Sequence, residues 1–137
     1  TLMRSSAASD VYKRQMNAET KKVLGGEVKV HANCAVVPAF IGAAQFVNVE
    51  CENEVDVDMV REGMKSEPGI VVFDRNVEGG YVSLTDVQGE DEVYVSRLRQ
   101  DASVENGFSF WSVADNLRAG VAKNAFGVMK LMLAEKQ

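Results

Sequence analysis

The chain has 137 residues, of which 46% are hydrophobic and 26% are charged, and this is the composition of one folded domain. The net charge is -5, with acidic residues spread along the chain, which argues against a nucleic-acid partner because that needs a clustered basic patch. No apolar run approaches the ~18 residues that cross a bilayer, so no membrane partner is expected. Two cysteines and one histidine predict neither a disulfide framework nor a zinc site. We therefore expect a reducing compartment, the cytoplasm, and no metal.

The first 15 residues, TLMRSSAASDVYKRQ, differ in composition from the rest of the chain. They are rich in serine and basic residues, and they show no clean period of 3.6 or 2. The apolar block of a secretory signal is missing, and a transit peptide is the alternative. The segment also resembles translated adapter sequence, so we predict a non-native or disordered leader over 1–15 and a folded domain over 16–137.

The first half of that domain predicts two helices and two strands. Residues 17–24 have the pattern of a helix end, with Gly25-Gly26 as its stop. The segment VKVHANCAVV, from Val28, is rich in β-branched residues and predicts a strand, and the alternation that begins at Ala44 predicts a second. Apolar residues at helical spacing then predict a helix over 56–65, capped by Asp56 or Asp58.

The second half predicts short strands separated by turns, followed by a long helix. The expected order is a buried strand over 70–73, a turn over 76–80, an edge strand over 81–84, strands over 92–99 and 109–113, and a helix from Asp115 to about 134. Adjacent strands joined by short turns favour antiparallel pairing. We therefore predict an α+β fold with a mixed, largely antiparallel sheet and helices packed on one face.

Few residues suggest chemistry by themselves. His31 and Cys34 are three apart, which on a strand sends them to opposite faces, so a nucleophile pair is disfavoured. Glycine pairs at 25–26 and 79–80 lack the strand and helix context of a phosphate loop and favour turns. Glu19 and Lys22 share a helix face, where a surface ion pair is the alternative to a site. Asp115-Asn116 is predicted at a helix N-terminus, where free N–H groups attract anions.

Read together, four segments resemble the C-terminal half of aspartate-semialdehyde dehydrogenase. They occur in the family's order and spacing, and they are AETKKVL (18–24), NCAVVPAFIGAAQFVNVE (33–50), YVSRLRQD (94–101) and NGFSFWSVADNLRAGVAKNA (106–125). The resemblance implies a C-terminal domain like that of glyceraldehyde-3-phosphate dehydrogenase, which supplies catalytic groups and the homodimer interface. It also implies an N-terminal Rossmann domain, with NADP and the nucleophilic cysteine, outside this sequence.

The family reaction is the NADP-dependent reductive dephosphorylation of aspartyl phosphate to aspartate semialdehyde, in the biosynthesis of lysine, methionine and threonine from aspartate. By resemblance, Glu19 meets the substrate amino group, Lys22 meets the phosphate, and Asn116 lies near the nicotinamide carboxamide. Two positions depart from the family pattern. Val36 stands where the family has the arginine that holds the substrate carboxylate, and Ala43 stands where it has the acid/base histidine.

These departures predict a fragment that retains no catalytic residue and is inactive alone. Losing a general acid/base costs roughly 10²–10⁴ in rate, and losing a two-point carboxylate anchor adds to that cost. Deliberate substitution, a natural non-catalytic relative and sequence error are the possible origins, of which error is the least favoured. The alternative functions are a non-catalytic dimerisation or binding domain of the same fold, and an unrelated regulatory module.

Overall fold

The structure is a computed structural model that describes residues 2–135, with side chains described from residue 11 onward. It forms two compact units, Thr1–Pro38 and Ala39–Gln137. Over the described residues the elements are three helices and four strands, in the order α1 (Leu2–Leu24), β1 (Ala43–Glu50), α2 (Val57–Ser66), β2 (Ile70–Val72), β3 (Val93–Gln100), β4 (Gly107–Ala114) and α3 (Val121–Ala134).

The first unit is built on helix α1. The helix ends at Leu24, as predicted, and Gly25 follows it with φ +89°. It begins at Leu2, so the backbone is helical through most of the predicted leader over 1–15. No glycine or proline interrupts residues 2–24, and alanine, lysine, arginine and glutamine favour this conformation. The non-native origin of residues 1–15 stays a prediction.

The predicted strand from Val28 is wrong. Within the described part of the first unit, residues 28–37 are irregular, because no second strand is there to satisfy their backbone groups. The opposite-face argument for His31 and Cys34 loses its basis with the strand. Instead, Nε2 of His31 lies 3.3 Å from Nδ2 of Asn33, and the Cys34 thiol lies 3.7 Å from the Met16 sulfur.

The second unit contains a four-stranded mixed sheet in the order β1-β4-β3-β2. Strand β4 pairs antiparallel with both β1 and β3, and β2 pairs parallel with β3. This confirms the predicted α+β class and the largely antiparallel sheet. Helix α2 contacts β2 and β3, and the side chain of Asp56 accepts from the N–H of Asp58 to cap its start.

The predicted edge strand at 81–84 is wrong, because this segment folds over the sheet and does not pair with a strand. Val82 is buried, and its backbone groups are satisfied by side chains. Its N–H donates to Oγ of Ser96 at 3.2 Å, and its carbonyl accepts from Nε1 of Trp111 at 2.8 Å. Val82, Val87 and Val113 form the core cluster between this segment and the sheet.

The C-terminal helix begins later than predicted. Helix α3 starts at Val121, and Gly120 before it has φ +121°, which a continuous helix does not allow. Residues 115–120 form turns instead. No residue of α3 is buried, and Val121, Val128 and Leu131 are more than half exposed. These apolar side chains of α3 are therefore not covered within the described second unit.

Candidate functional site

The first feature of the candidate site is the start of strand β1. Gly42 precedes the strand with φ +114°, and its N–H donates to Oδ1 of Asn116 at 2.7 Å. Ala43, the first residue of β1, pairs with Ala114 at the end of β4. The structure therefore brings together Ala43 and Asn116, which in the sequence are linked only by the family resemblance. The backbone does this: a strand start and a strand end meet at one sheet corner.

Asp115 organises the backbone of this corner. Its side chain is buried, and it accepts from the N–H of Gly89 and from the N–H of Leu117, both at 2.8 Å. The Gly89 hydrogen bond, together with those from Leu117 and Arg118, holds the pKa of the Asp115 carboxyl below its usual range, against the effect of burial. Asp115 therefore fixes the turn that presents Asn116, and the predicted helix N-terminus at Asp115-Asn116 is wrong, since α3 begins at Val121.

An ion pair joins the same turn to the segment before β3. Nε of Arg118 donates to Asp91 at 2.7 Å, and Nζ of Lys123 donates to the Asp91 carbonyl at 2.6 Å. The Arg118 hydrogen bond lowers the pKa of Asp91, and the same contact raises the pKa of Arg118. Both side chains of the pair are half exposed, so the pair adds little stability by itself.

The other candidate residues lie in the first unit. Glu19 and Lys22 are exposed and one turn apart on helix α1, which agrees with their predicted common face. Val36 is 88% exposed in the irregular segment after α1, and its isopropyl group offers no hydrogen bond to an anion. The roles of Glu19 and Lys22 as substrate contacts stay predictions.

Sequence reasoning missed the partner of Asp115 and the contact of Asn116. Gly89 is 26 residues before Asp115, and Gly42 is 74 residues before Asn116. No local sequence pattern predicts a hydrogen bond between residues that are so far apart in the sequence. The only available signal was the pairing of β1 with β4, which sets residues 42 and 116 beside each other once the register is known.

In the part of the chain that the structure describes, two features are absent, a metal-binding group of side chains and a helix that could span a membrane. There, no three histidine, cysteine, aspartate or glutamate side chains are arranged to hold a metal ion. In the same residues, no helix combines the length and the apolar character needed to cross a membrane.

Comparison with known proteins gives the family. The profile of the family described as "Semialdehyde dehydrogenase, dimerisation domain" matches residues 11–119. Aspartate-semialdehyde dehydrogenase from Aquifex aeolicus is 37% identical over 130 residues, which are 92% of this chain and 38% of that protein. The enzyme of the same name from Rickettsia bellii is 37% identical over 115 residues, which are 84% of this chain and 34% of that protein. The chain thus spans about a third of these relatives' length.

Solved structures agree with the sequence comparison. Aspartate semialdehyde dehydrogenase II from Vibrio cholerae, in complex with ASA, matches with a TM-score of 0.82 at 32% identity, over 89% of this chain and 36% of that one. A probable aspartate-semialdehyde dehydrogenase from Pseudomonas aeruginosa matches with a TM-score of 0.82 at 28% identity, over 91% of this chain and 37% of that one. The alternative of an unrelated regulatory module is therefore wrong. The chain belongs to the semialdehyde dehydrogenase dimerisation-domain family.

Proposed function

We propose that this chain is the substrate-binding part of an aspartate-semialdehyde dehydrogenase and does not turn over substrate by itself. In this proposal Glu19 binds the substrate amino group, Lys22 binds the phosphate, and Asn116 contacts the nicotinamide of NADP. The corner formed by Gly42, Ala43 and Asn116 is the observation that carries the proposal. The resemblance assigns the acid/base position to Ala43 and the cofactor contact to Asn116, so the closeness of these two residues supports the proposal.

The fit to NADP can be tested on Asn116. Its Oδ1 is already used by the N–H of Gly42, which orients the amide, and its exposed NH₂ remains a donor for a carboxamide oxygen. NADP, when bound, supplies the hydride chemistry. Gly25-Gly26 follow a helix and do not precede one, so they do not form a pyrophosphate cradle. These residues therefore fit one contact at the nicotinamide end of the cofactor.

The expected lack of turnover follows from two side chains. The methyl group of Ala43 cannot exchange a proton, and the isopropyl group of Val36 cannot hold a carboxylate by two hydrogen bonds. The absence of an acid/base by itself costs roughly 10²–10⁴ in rate. In this proposal the chain binds substrate but transfers no proton to or from it.

The first experiment separates binding from turnover. The chain is mixed with NADP, aspartate semialdehyde and phosphate, and NADPH formation is followed by absorbance, with a buffer blank. We expect no turnover above the blank, and turnover well above it would contradict the proposal. Binding of aspartate semialdehyde is followed in parallel by ligand-observed NMR. Glu19→Gln should weaken the signal, whereas Glu27→Gln, an equally exposed change beyond the end of α1, should not.

A second candidate function, subunit association, is favoured by one specific observation. The matching family profile is described as a dimerisation domain. We propose a homodimer, with an expected mass in light scattering of about twice 15.0 kDa. A mass of 15.0 kDa throughout a dilution series would contradict this candidate and leave the binding proposal intact.

A further inference from the structure

We infer that the second unit contains a binding site for a small oxyanion with at least two negative charges, of which inorganic phosphate is the simplest. The site is an open cavity of about 480 Å³ beside strand β3. Four arginines and only one carboxylate line it, namely Arg61, Arg75, Arg97, Arg99 and Asp74. It uses none of the residues assigned above to substrate or cofactor.

The arginines of the site differ in how they are bonded. The charge of Arg61 is paired with two carboxylates, since it donates to Asp74 at 3.0 Å and also pairs with Asp58. Arg61 donates as well to the Leu98 carbonyl at 3.1 Å. Among the side chains described from residue 11 to residue 135, no carboxylate lies within ion-pair distance of Arg75, Arg97 or Arg99. We call these three residues the arginine cluster.

Each member of the arginine cluster is stacked on an aromatic ring. The guanidinium carbon lies 4.8 Å from the ring centre for Arg75 over Phe73, 4.3 Å for Arg97 over Tyr81, and 5.4 Å for Arg99 over Phe46. Stacking holds the plane of a guanidinium while its N–H donors, which lie in that plane, stay free. Planar donors held in place are suited to phosphate and carboxylate oxygens.

A bulge in strand β3 sets the positions of two cluster members. Ser96 pairs with Trp111 and Arg99 with Ser109, so β3 advances three residues where β4 advances two. The extra residue is Arg97, which has φ 54°. This is the left-handed region of backbone conformation, which residues other than glycine adopt at an energetic cost. After the bulge, Arg99 faces the same side of the sheet as Ser96. Arg97, at the bulge, and Arg99, after it, both line the cavity.

Asp74 stabilises the bulge. Its carboxylate accepts from the N–H of Arg97 at 2.9 Å, from the N–H of Leu98 at 3.2 Å and from Arg61. These hydrogen bonds replace ladder bonds that the extra residue removes. The only carboxylate in the cavity wall is thus occupied by the backbone and by Arg61, so it does not form an ion pair with the arginine cluster.

The loop that carries Arg75 is closed and tight. Arg75 donates its N–H to the Gly80 carbonyl at 3.2 Å, and Gly80 donates to the Val77 carbonyl at 3.0 Å. A Cβ on Gly80 would lie 2.1 Å from the Arg75 carbonyl oxygen. The loop therefore needs glycine here, as the predicted turn over 76–80 suggested. Three like charges held near one another repel, and a bound anion with two charges relieves that repulsion.

The experiment titrates the ¹⁵N-labelled chain with inorganic phosphate at constant ionic strength, set with chloride, and follows amide shifts by NMR. We expect saturable shifts confined to the loop 75–80 and to residues 97–99. The Arg97→Asn, Arg99→Gln double variant should bind phosphate at least about tenfold more weakly, since charge-assisted hydrogen bonds are lost. Asparagine is chosen at residue 97 because it tolerates a positive φ.

The matched control is the Lys65→Gln, Lys130→Gln double variant. It removes the same charge at two exposed sites outside the cavity, one paired with Glu62 and one stacked on Phe126. This variant should bind phosphate within about twofold of the parent, because long-range charge is screened. If the cluster double variant unfolds, Arg75→Gln in the exposed loop replaces it.

Three outcomes would overturn the inference. Shifts that spread over the whole surface and do not saturate would show non-specific charge screening. Equal phosphate binding by the cluster variant and the control would place the site elsewhere, for example at Lys22. No phosphate binding, together with a lower oligomer mass for the cluster variant alone, would assign the arginines to a contact between copies of the chain.

Discussion

The side-chain oxygen of Asn116 accepts a hydrogen bond from the backbone N–H of Gly42 across 74 residues of sequence. The bond closes the corner at which β1 begins and β4 ends, and it leaves the amide nitrogen of Asn116 free as a donor. Ala43, next to Gly42, brings only a methyl group to the corner. The corner therefore holds the Asn116 amide in one orientation beside a residue that has no polar side-chain atom.

We expect Asn116→Ala to lower the free energy of unfolding by about 1 kcal/mol, because the Gly42 N–H loses its partner. Urea denaturation followed by the fluorescence of Trp111 measures this change. Asn124→Ala is the control, since it removes the same side chain from an exposed position on α3. Equal unfolding midpoints for the Asn116 and Asn124 variants would show that the Gly42 hydrogen bond adds no net stability.

The buried Asp115 carboxylate predicts loss of stability in acid. Hydrogen bonds from the N–H groups of Gly89, Leu117 and Arg118 hold the pKa of the folded-state carboxyl below its usual range. A carboxyl whose pKa is lowered by folding adds stability that is complete above its unfolded pKa, about 3.9. That stability is lost as the pH falls from about 4 through the folded-state pKa.

Asp115→Asn should remove this part of the pH dependence. Thermal unfolding between about pH 5 and pH 2 measures it, and the difference between parent and variant isolates Asp115 from other aspartates with lowered pKa values. Asp86 lies in an exposed turn, and its hydrogen bonds with Ser83 lower its pKa. It is one of the other aspartates whose contribution cancels in this difference. A parent and an Asp115→Asn variant with parallel acid profiles would contradict the assignment.

Local sequence predicts the elements whose signals are local. The Asp56 cap and the alternation at β1 were found because capping and period 2 act over a few residues. The strand from Val28 was predicted wrongly because β-branched residues favour a strand only where a partner strand exists. The start of α3 was misplaced because Gly120, with φ +121°, interrupts the helix that the apolar spacing predicts, and spacing does not report a backbone angle.

The arginine cluster shows why the rest escapes sequence reasoning. SRLR, residues 96–99, has the alternation of an ordinary strand, and nothing in those four letters indicates a bulge. The bulge depends on Asp74, which belongs to a different segment and meets the N–H groups of Arg97 and Leu98 only after the sheet has formed. Strand register and long-range hydrogen bonds are properties of the assembled sheet.

Asp74→Asn should destabilise the second unit by about 2 kcal/mol, because the amide cannot accept from both bulge N–H groups and from Arg61. The Asp74 side chain is only 15% exposed, so water does not replace it readily. Asp58→Asn is the matched control, since it also removes a carboxylate from Arg61 but at a side chain 87% exposed. The control should change stability by less than about 1 kcal/mol. Equal losses in urea denaturation would contradict the role of Asp74 in the bulge.

Two glycines offer the sharpest test of backbone packing, since the same substitution should act in opposite directions. Gly80→Ala should cost about 1–3 kcal/mol, because its new methyl group meets the Arg75 carbonyl and the loop must open. Gly63→Ala, inside exposed helix α2 with no atom within 4 Å of the new methyl group, should gain about 0.5–1 kcal/mol. Urea denaturation of the two variants measures both changes. A Gly80→Ala variant as stable as the parent would mean that the loop adapts at little cost. Phosphate binding by that variant would then show whether Arg75 must be held in place for the arginine cluster to bind an anion.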